Sequence, residues 1–82
     1  MTEQQIYDGI TEILREVFDD DRLVATPELS ARDVPEWDSF NQINVVVASE
    51  LKFGVQFRSA EIEALNCVGD FAALIRSKLE AN

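Results

Sequence analysis

Stretches of apolar residues at helical spacing, the first and last of them the clearest, constrain the fold more than any other feature of the chain. Ile6, Ile10, Ile13, Leu14 and Val17 form the first, and Val68, Phe71, Ala72, Leu74, Ile75 and Leu79 the last. Steps of three and four gather side chains on one side of a 3.6-residue helix, so each segment must bury that side against a neighbour. Thr2 with Gln5 has the form of a capping box, which starts the first helix and places it over about 2–18. The run Asp19-Asp20-Asp21 is unfavourable at the negative end of a helix and marks where the chain leaves it.

A further helical segment is predicted over about 39–53. On a wheel of 100° per residue, Phe40, Ile43, Val46, Val47, Leu51 and Phe53 share one arc of about 160°, which predicts a core face. Asn41, Gln42, Ser49 and Lys52 lie opposite, and Val45 falls on that polar side, as an exposed apolar contact or part of a wider buried arc. Gly54 can take the left-handed conformation that ends a helix. Ser59 can cap a brief third helix near 60–65, with Glu61 and Glu63 at its positive end, and the last helix is placed at 67–80. Between residues 19 and 38 no period is sustained, and a run of that length in a compact domain must be tied down. Leu23, Val24 and Leu29 can plug into the core, Thr26-Pro27-Glu28 can start a short helical turn, and Val34-Pro35 favours extended backbone. The expectation is an all-α bundle of four helices with a long loop between the first and second and a short third.

At 82 residues the chain is expected to form a single domain, 1–82. Sixteen acidic residues against seven basic ones give a net charge of −9. Such a surface repels nucleic acid and anionic lipid, and it favours encounter with basic patches on proteins at rates that fall with salt. No apolar stretch approaches the roughly 20 residues that span a bilayer, and Met1-Thr2-Glu3-Gln4-Gln5 is no basic, apolar leader, so a cytoplasmic protein is expected. With one cysteine and no histidine, an internal disulfide, a Cys/His metal cluster and the usual catalytic triads are excluded. Asp19-Asp20-Asp21 does not open a calcium loop, because Val24 stands where that loop needs glycine and Ser30 where it needs glutamate.

The chemistry-bearing segment is Val34-Pro35-Glu36-Trp37-Asp38-Ser39-Phe40-Asn41-Gln42-Ile43. Taken alone, Asp38 and Ser39 are ordinary helix caps, and Ser39 with Gln42 reads as a capping box. Their setting says more. Asp38-Ser39-Phe40 at the start of the second helix, after a long loop in an acidic chain, resembles the phosphopantetheine site of acyl and peptidyl carrier proteins. Phe53-Gly54-Val55 closing that helix, Ile62 in the third and Val68-Gly69-Asp70-Phe71 opening the fourth extend the resemblance over nearly the whole chain.

This resemblance implies an acyl-carrier-type bundle in which Ser39 bears a covalent 4'-phosphopantetheine arm, drawn from coenzyme A by a separate transferase. Acyl groups would ride on the arm as thioesters, and Asp38 would be the flanking acid that helps position metal or transferase groups. The chain would then be a monomeric carrier and not an enzyme. Its partners would be a phosphopantetheinyl transferase and the acyl-transferring or condensing enzymes of fatty acid, polyketide or specialised lipid biosynthesis. The alternatives are a peptidyl or aminoacyl carrier and a carrier-fold interaction domain that never receives an arm. Trp37 and Phe40 are expected to pack, and Cys67 to be a small buried or capping residue with no base beside it. Two departures from the family pattern stand out. Phe40 replaces the usual leucine, and Asn41, Gln42 and Asn44 stand where many members carry acids, leaving Glu50 as the second helix's main carboxylate. The candidate docking residues there are Phe40, Asn44, Val47 and Glu50, with Val45, Asp33 and Glu36 contributing to partner choice.

Overall fold

The structure is a computed structural model and describes residues 1–80. Its elements are α1 (Glu3–Phe18), a single 3-10 turn (Ala31–Asp33), α2 (Ser39–Phe53), α3 (Ser59–Glu63) and α4 (Val68–Glu80). α1 starts where the sequence places it. The Thr2 N–H donates to Gln5 Oε1 at 2.8 Å and the Gln5 N–H to Thr2 Oγ1 at 3.2 Å, closing the capping box. Ile6, Ile10, Ile13 and Leu14 are all buried, and Asp19, left-handed with φ 50°, ends the helix. α4 buries Val68, Phe71, Ala72 and Ile75, and α1 packs against both α2 and α4.

The long loop is ordered by bonds to two helices. The Ala25 N–H donates to Thr11 Oγ1 of α1 at 2.9 Å, and Arg15 Nε donates to the Leu23 carbonyl at 2.8 Å. At the other side, the N–H groups of Val68 and Gly69 donate to the carbonyls of Leu29 and Pro27 at 2.8 and 3.1 Å. Gly69 permits this approach, because a Cβ there would lie 3.0 Å from the Pro27 oxygen. Two sequence expectations for the loop are corrected. Val24 is exposed, and the buried plugs are Ala25 and Val34, with Leu23 and Leu29 half-buried. Pro27 and Glu28 form a plain turn, and the helical turn comes later at Ala31–Asp33, where Asp33 accepts from the Ser30 N–H at 3.0 Å.

α2 has the expected bounds but is rotated from the expected phase. Its buried residues are Val45, Ser49 and Phe53, spaced one turn apart. Phe40, Ile43, Val47 and Leu51, predicted to be core, are 71, 61, 48 and 82 % exposed. The reason lies in α1: a Cβ on Gly9 would sit 2.7 Å from the Phe53 ring, so the glycine makes the hollow that this ring fills. The small Ala48 and Ser49 bring α2 in close, and the Ser49 hydroxyl is satisfied by donating to the Val45 carbonyl at 2.7 Å. A polar residue thus occupies the buried face at little cost. Gly54 ends α2 at φ 67° as expected.

α3 is shorter than expected, and Ser59 is its first residue, not its cap. Glu61 accepts from the Arg58 N–H at 2.8 Å and from Lys78 Nζ at 2.8 Å, tying α3 to α4. Phe57 and Phe71 meet with ring centroids 5.5 Å apart and close the core beneath α3.

Candidate functional site

The approach to Ser39 is a tightly bonded corner. The Trp37 N–H donates to the Val34 carbonyl at 3.0 Å, and Val34 itself is buried. The Trp37 ring meets Phe18 at 5.5 Å, which pins the loop to the end of α1. Its Nε1 donates to Gln42 Oε1 at 2.6 Å, and Asn41 Nδ2 donates to the Glu36 carbonyl at 2.7 Å. Both bonds join the loop to the first turn of α2.

Within this corner the cap is Asp38. Its carboxylate accepts from the Asn41 N–H at 2.9 Å, and its carbonyl takes the first helical bond, from Gln42. Ser39 is the first helical residue, so the expected Ser39–Gln42 capping box does not form, and the Gln42 side chain serves Trp37. The consequence for chemistry is direct. Ser39 is exposed, and among the described residues no hydrogen bond engages its hydroxyl. Neither Ser39 nor Phe40 has a partner for its backbone N–H among those residues, so two free donors stand at the positive end of α2 beside that hydroxyl.

Ser39 and Trp37 stand at the mouth of a cleft of about 660 Å³ that runs between α2, α3 and α4. Ile43, Ile62 and Leu65 flank it, and Val45, Val68 and Phe71 lie deeper. Cys67 is half-buried along this cleft, with its carbonyl taking the first bond of α4 from the Phe71 N–H. The family resemblance allows an apolar space between the helices, and the sequence has the Ile, Val and Phe to line one, but it does not locate that space, because the walls come from three helices at sequence separations no single period encodes. Of the candidate docking residues, Phe40, Asn44 and Val47 are exposed, whereas Glu50 is half-buried and accepts from the Phe57 N–H at 2.9 Å. Val45, 1 % exposed, is a core residue and no contact for a partner. Asp33 and Glu36 are exposed on the loop. Asp20 is held below the usual carboxylate range by the Arg22 backbone N–H and guanidinium. Among the described residues no three His, Cys, Asp or Glu side chains gather as a metal site, and no helix is long and apolar enough to cross a membrane.

No family model matches the chain, but relatives and a solved structure do. The meromycolate extension acyl carrier protein of Mycobacterium bovis is 34% identical over 82 residues, covering all of this chain and 71% of that one. The acyl carrier protein of Acidothermus cellulolyticus is 37% identical over 70 residues, 85% of this chain and 83% of its own length. The solution NMR structure of a holo acyl carrier protein from Geobacter metallireducens superposes with a TM-score of 0.87 at 41% identity, covering 93% of this chain and 87% of that one. The chain belongs to the acyl carrier protein family. Its all-helical fold is the acyl carrier fold, and as an acyl carrier protein it is a carrier, not an enzyme. Proteins of this family use a phosphopantetheine prosthetic group and work with biosynthetic enzymes.

Proposed function

We propose that Ser39 is the attachment point of the 4'-phosphopantetheine arm and that this single-domain carrier presents acyl groups from it to cytoplasmic biosynthetic enzymes. The observation that carries the reading is the division of labour at the start of α2. Asp38 caps the helix, so the Ser39 hydroxyl is exposed and uncommitted at the mouth of an apolar cleft. In the transferase complex Ser39 Oγ attacks the pyrophosphate of coenzyme A. The hydroxyl proton passes to a base of the transferase or to water, the new P–O bond to Ser39 forms as the pyrophosphate P–O bond breaks, and the adenosine bisphosphate leaves.

The residues present fit the group. The free N–H groups of Ser39 and Phe40, at the end of α2 where the helix dipole favours an anion, would help hold a phosphodiester on Ser39 Oγ. Asp38 fixes the helix start and stands beside the serine as the flanking acid of the motif. The group's terminal thiol supplies the chemistry, holding the acyl chain as a thioester. Ile43, Ile62, Leu65 and Phe71 give that chain an apolar lining within reach of the site, which favours an acyl over an aminoacyl cargo. Phe40 and Val47 present apolar surface to the transferase and to acyl-transferring or condensing enzymes, and Asn44 beside them is neutral. Val47→Asp is expected to weaken that docking, with no matching effect from Asn44→Ala.

Intact mass after incubation with coenzyme A, magnesium and a broad-specificity phosphopantetheinyl transferase tests the reading. Wild type gains one arm, and peptide mapping puts it on the fragment containing Ser39. Ser39→Ala and Ser39→Asp gain nothing and remain folded. Label on Ser30, Ser49, Ser59 or Ser77 would show that the site is wrong, and a wild type that stays unmodified with several transferases would leave an unmodified interaction domain as the better reading.

A further inference from the structure

The bond that pins Trp37 leaves a group over. An indole N–H can only donate, so the Gln42 amide turns its oxygen to Trp37 Nε1, which it meets at 2.6 Å. Gln42 Nε2 is then left with two hydrogens and no acceptor among the described residues, on a half-buried side chain that lines the cleft beside Ser39. The atom is open and not sealed in the core. The other polar side chains of the cleft are committed or of the wrong kind. Ser30 Oγ bonds to Asp33, Asp38 accepts from the Asn41 N–H, and Asn66 Nδ2 donates to the Ala64 carbonyl. Glu63 can only accept.

Gln42 stands three residues after Ser39, so the two side chains are neighbours one turn apart on the same side of α2. The Trp37 ring is fixed from two directions, by this bond and by Phe18 at 5.5 Å, and it shares the cleft mouth with Ser39. A flat apolar ring and a free amide donor are therefore joined to each other at a fixed spacing beside the serine. A ligand that fits both carries a compact apolar group and a neutral carbonyl a few bonds apart. The first part of a phosphopantetheine arm has that order: a gem-dimethyl carbon close to the phosphate, then a hydroxyl-bearing carbon, then an amide carbonyl.

We infer that Trp37 and Gln42 are positioning residues for the arm itself: Gln42 Nε2 donates to the arm's first amide carbonyl, and the gem-dimethyl group rests on the Trp37 ring. The inference rests on the Ser39 reading and adds to it how this chain holds the arm when no enzyme has it. Trp37 acts in two ways, as the apolar rest and as the group that sets which end of the Gln42 amide is free. One hydrogen bond of this kind shifts the ratio of held to free arm by about tenfold. That biases the arm toward the cleft and still lets an enzyme take it.

The test reads the arm and not its transfer, by NMR of the holo protein with a free thiol against the apo protein and free pantetheine. Trp37 is the one tryptophan of the chain, so its indole N–H gives a single side-chain signal. In holo wild type the two arm methyls should show Overhauser contacts to the Trp37 ring, and the Gln42 side-chain amide signal should move from its apo position. Gln42→Glu keeps an oxygen for the indole N–H and removes the donor, whereas Gln42→Met removes both without adding charge. Both variants should fold, which thermal unfolding checks, and both should take the arm. In each, the ratio of held to free arm should fall about tenfold, read from how far the methyl signals lie from those of free pantetheine. Contacts kept at the wild-type level in Gln42→Met overturn the inference and assign any loss in Gln42→Glu to charge repulsion. Holo wild type without the contacts overturns it too, as do contacts that form only once the thiol is acylated, which give the donor to the thioester carbonyl. In all three cases the arm is on Ser39 and that reading stands. Wild type that accepts no arm removes the Ser39 reading and this inference together.

Discussion

In α1 the apolar residues Ile6, Ile10, Ile13 and Leu14 are exposed by 3 % or less, whereas in α2 the residues Phe40, Ile43, Val47 and Leu51 are exposed by 48 % or more. Both sets have helical spacing, and both read from the sequence as a face seeking a core. α1 lies between α2 and α4, so its stripe has somewhere to go. α2 packs against α1 through the opposite side, Val45, Ser49 and Phe53, and keeps its richer apolar stripe for solvent. A helix with two apolar sides has no phase that its own composition can decide. The neighbour decides, and the side left over is available for contact with other proteins.

The largest expected effects set the two faces against each other in stability. Ile10→Ala in α1 and Phe71→Ala in α4 remove buried side chains and should cost about 2–5 kcal/mol each in urea unfolding. Phe40→Ala and Leu51→Ala should stay within about 0.5 kcal/mol of wild type. A loss of several kcal/mol on truncating Phe40 would restore the phase expected from the wheel and erase the contrast.

The contact that sets the phase can be tested at Gly9. A methyl there meets the Phe53 ring at 2.7 Å, so Gly9→Ala should destabilise by about 1–3 kcal/mol through overpacking. Helix propensity alone favours alanine by about 1 kcal/mol, which makes the expected sign diagnostic. Phe53→Leu in the Gly9→Ala background should recover part of the loss. A Gly9→Ala protein more stable than wild type would show that α1 and α2 do not meet there.

How much was legible follows the same contrast. The helix count, the bounds of α2, the Thr2–Gln5 box and the Gly54 terminus are local, set within a few residues, and the sequence states them. The phase of α2, the Trp37–Gln42 bond and the cleft beside Ser39 depend on which elements meet, and no single segment encodes that. The loop lies between these cases. Its need for anchors was plain from its length, but Thr11 and Arg15 as those anchors are surface-type residues of α1 and gave no apolar signal. At the site, sequence found Ser39 and Asp38 but gave both the role of cap; only the geometry separates them.

That separation is open to a smaller measurement. Asp38→Ala should lose about 1 kcal/mol of stability, since it leaves the Asn41 N–H unpaired, and Asp38→Asn should retain most of it. Ser39→Ala should lose almost nothing. Equal losses at both positions in thermal unfolding would mean that the cap is shared and that the serine is not free.

The smallest expected effect concerns α3, the element that closes the cleft with the fewest contacts of its own. Glu61 joins it to α4, and hydrogen bonds from Lys78 and from the Arg58 N–H hold its carboxyl below the ordinary value of 4.5. A carboxyl depressed on folding binds its proton more readily in the unfolded chain, so its stabilisation is present above the unfolded value and is lost as pH falls through the folded one. Glu61→Gln should therefore be slightly less stable than wild type at pH 7, and the two proteins should converge once the pH falls well below 4.5. Surface pairs of this kind contribute little and are screened, so 1 M salt should also narrow the gap. A gap of the same size at both pH values would assign the loss to the geometry of the α3 start and not to the charge on Glu61.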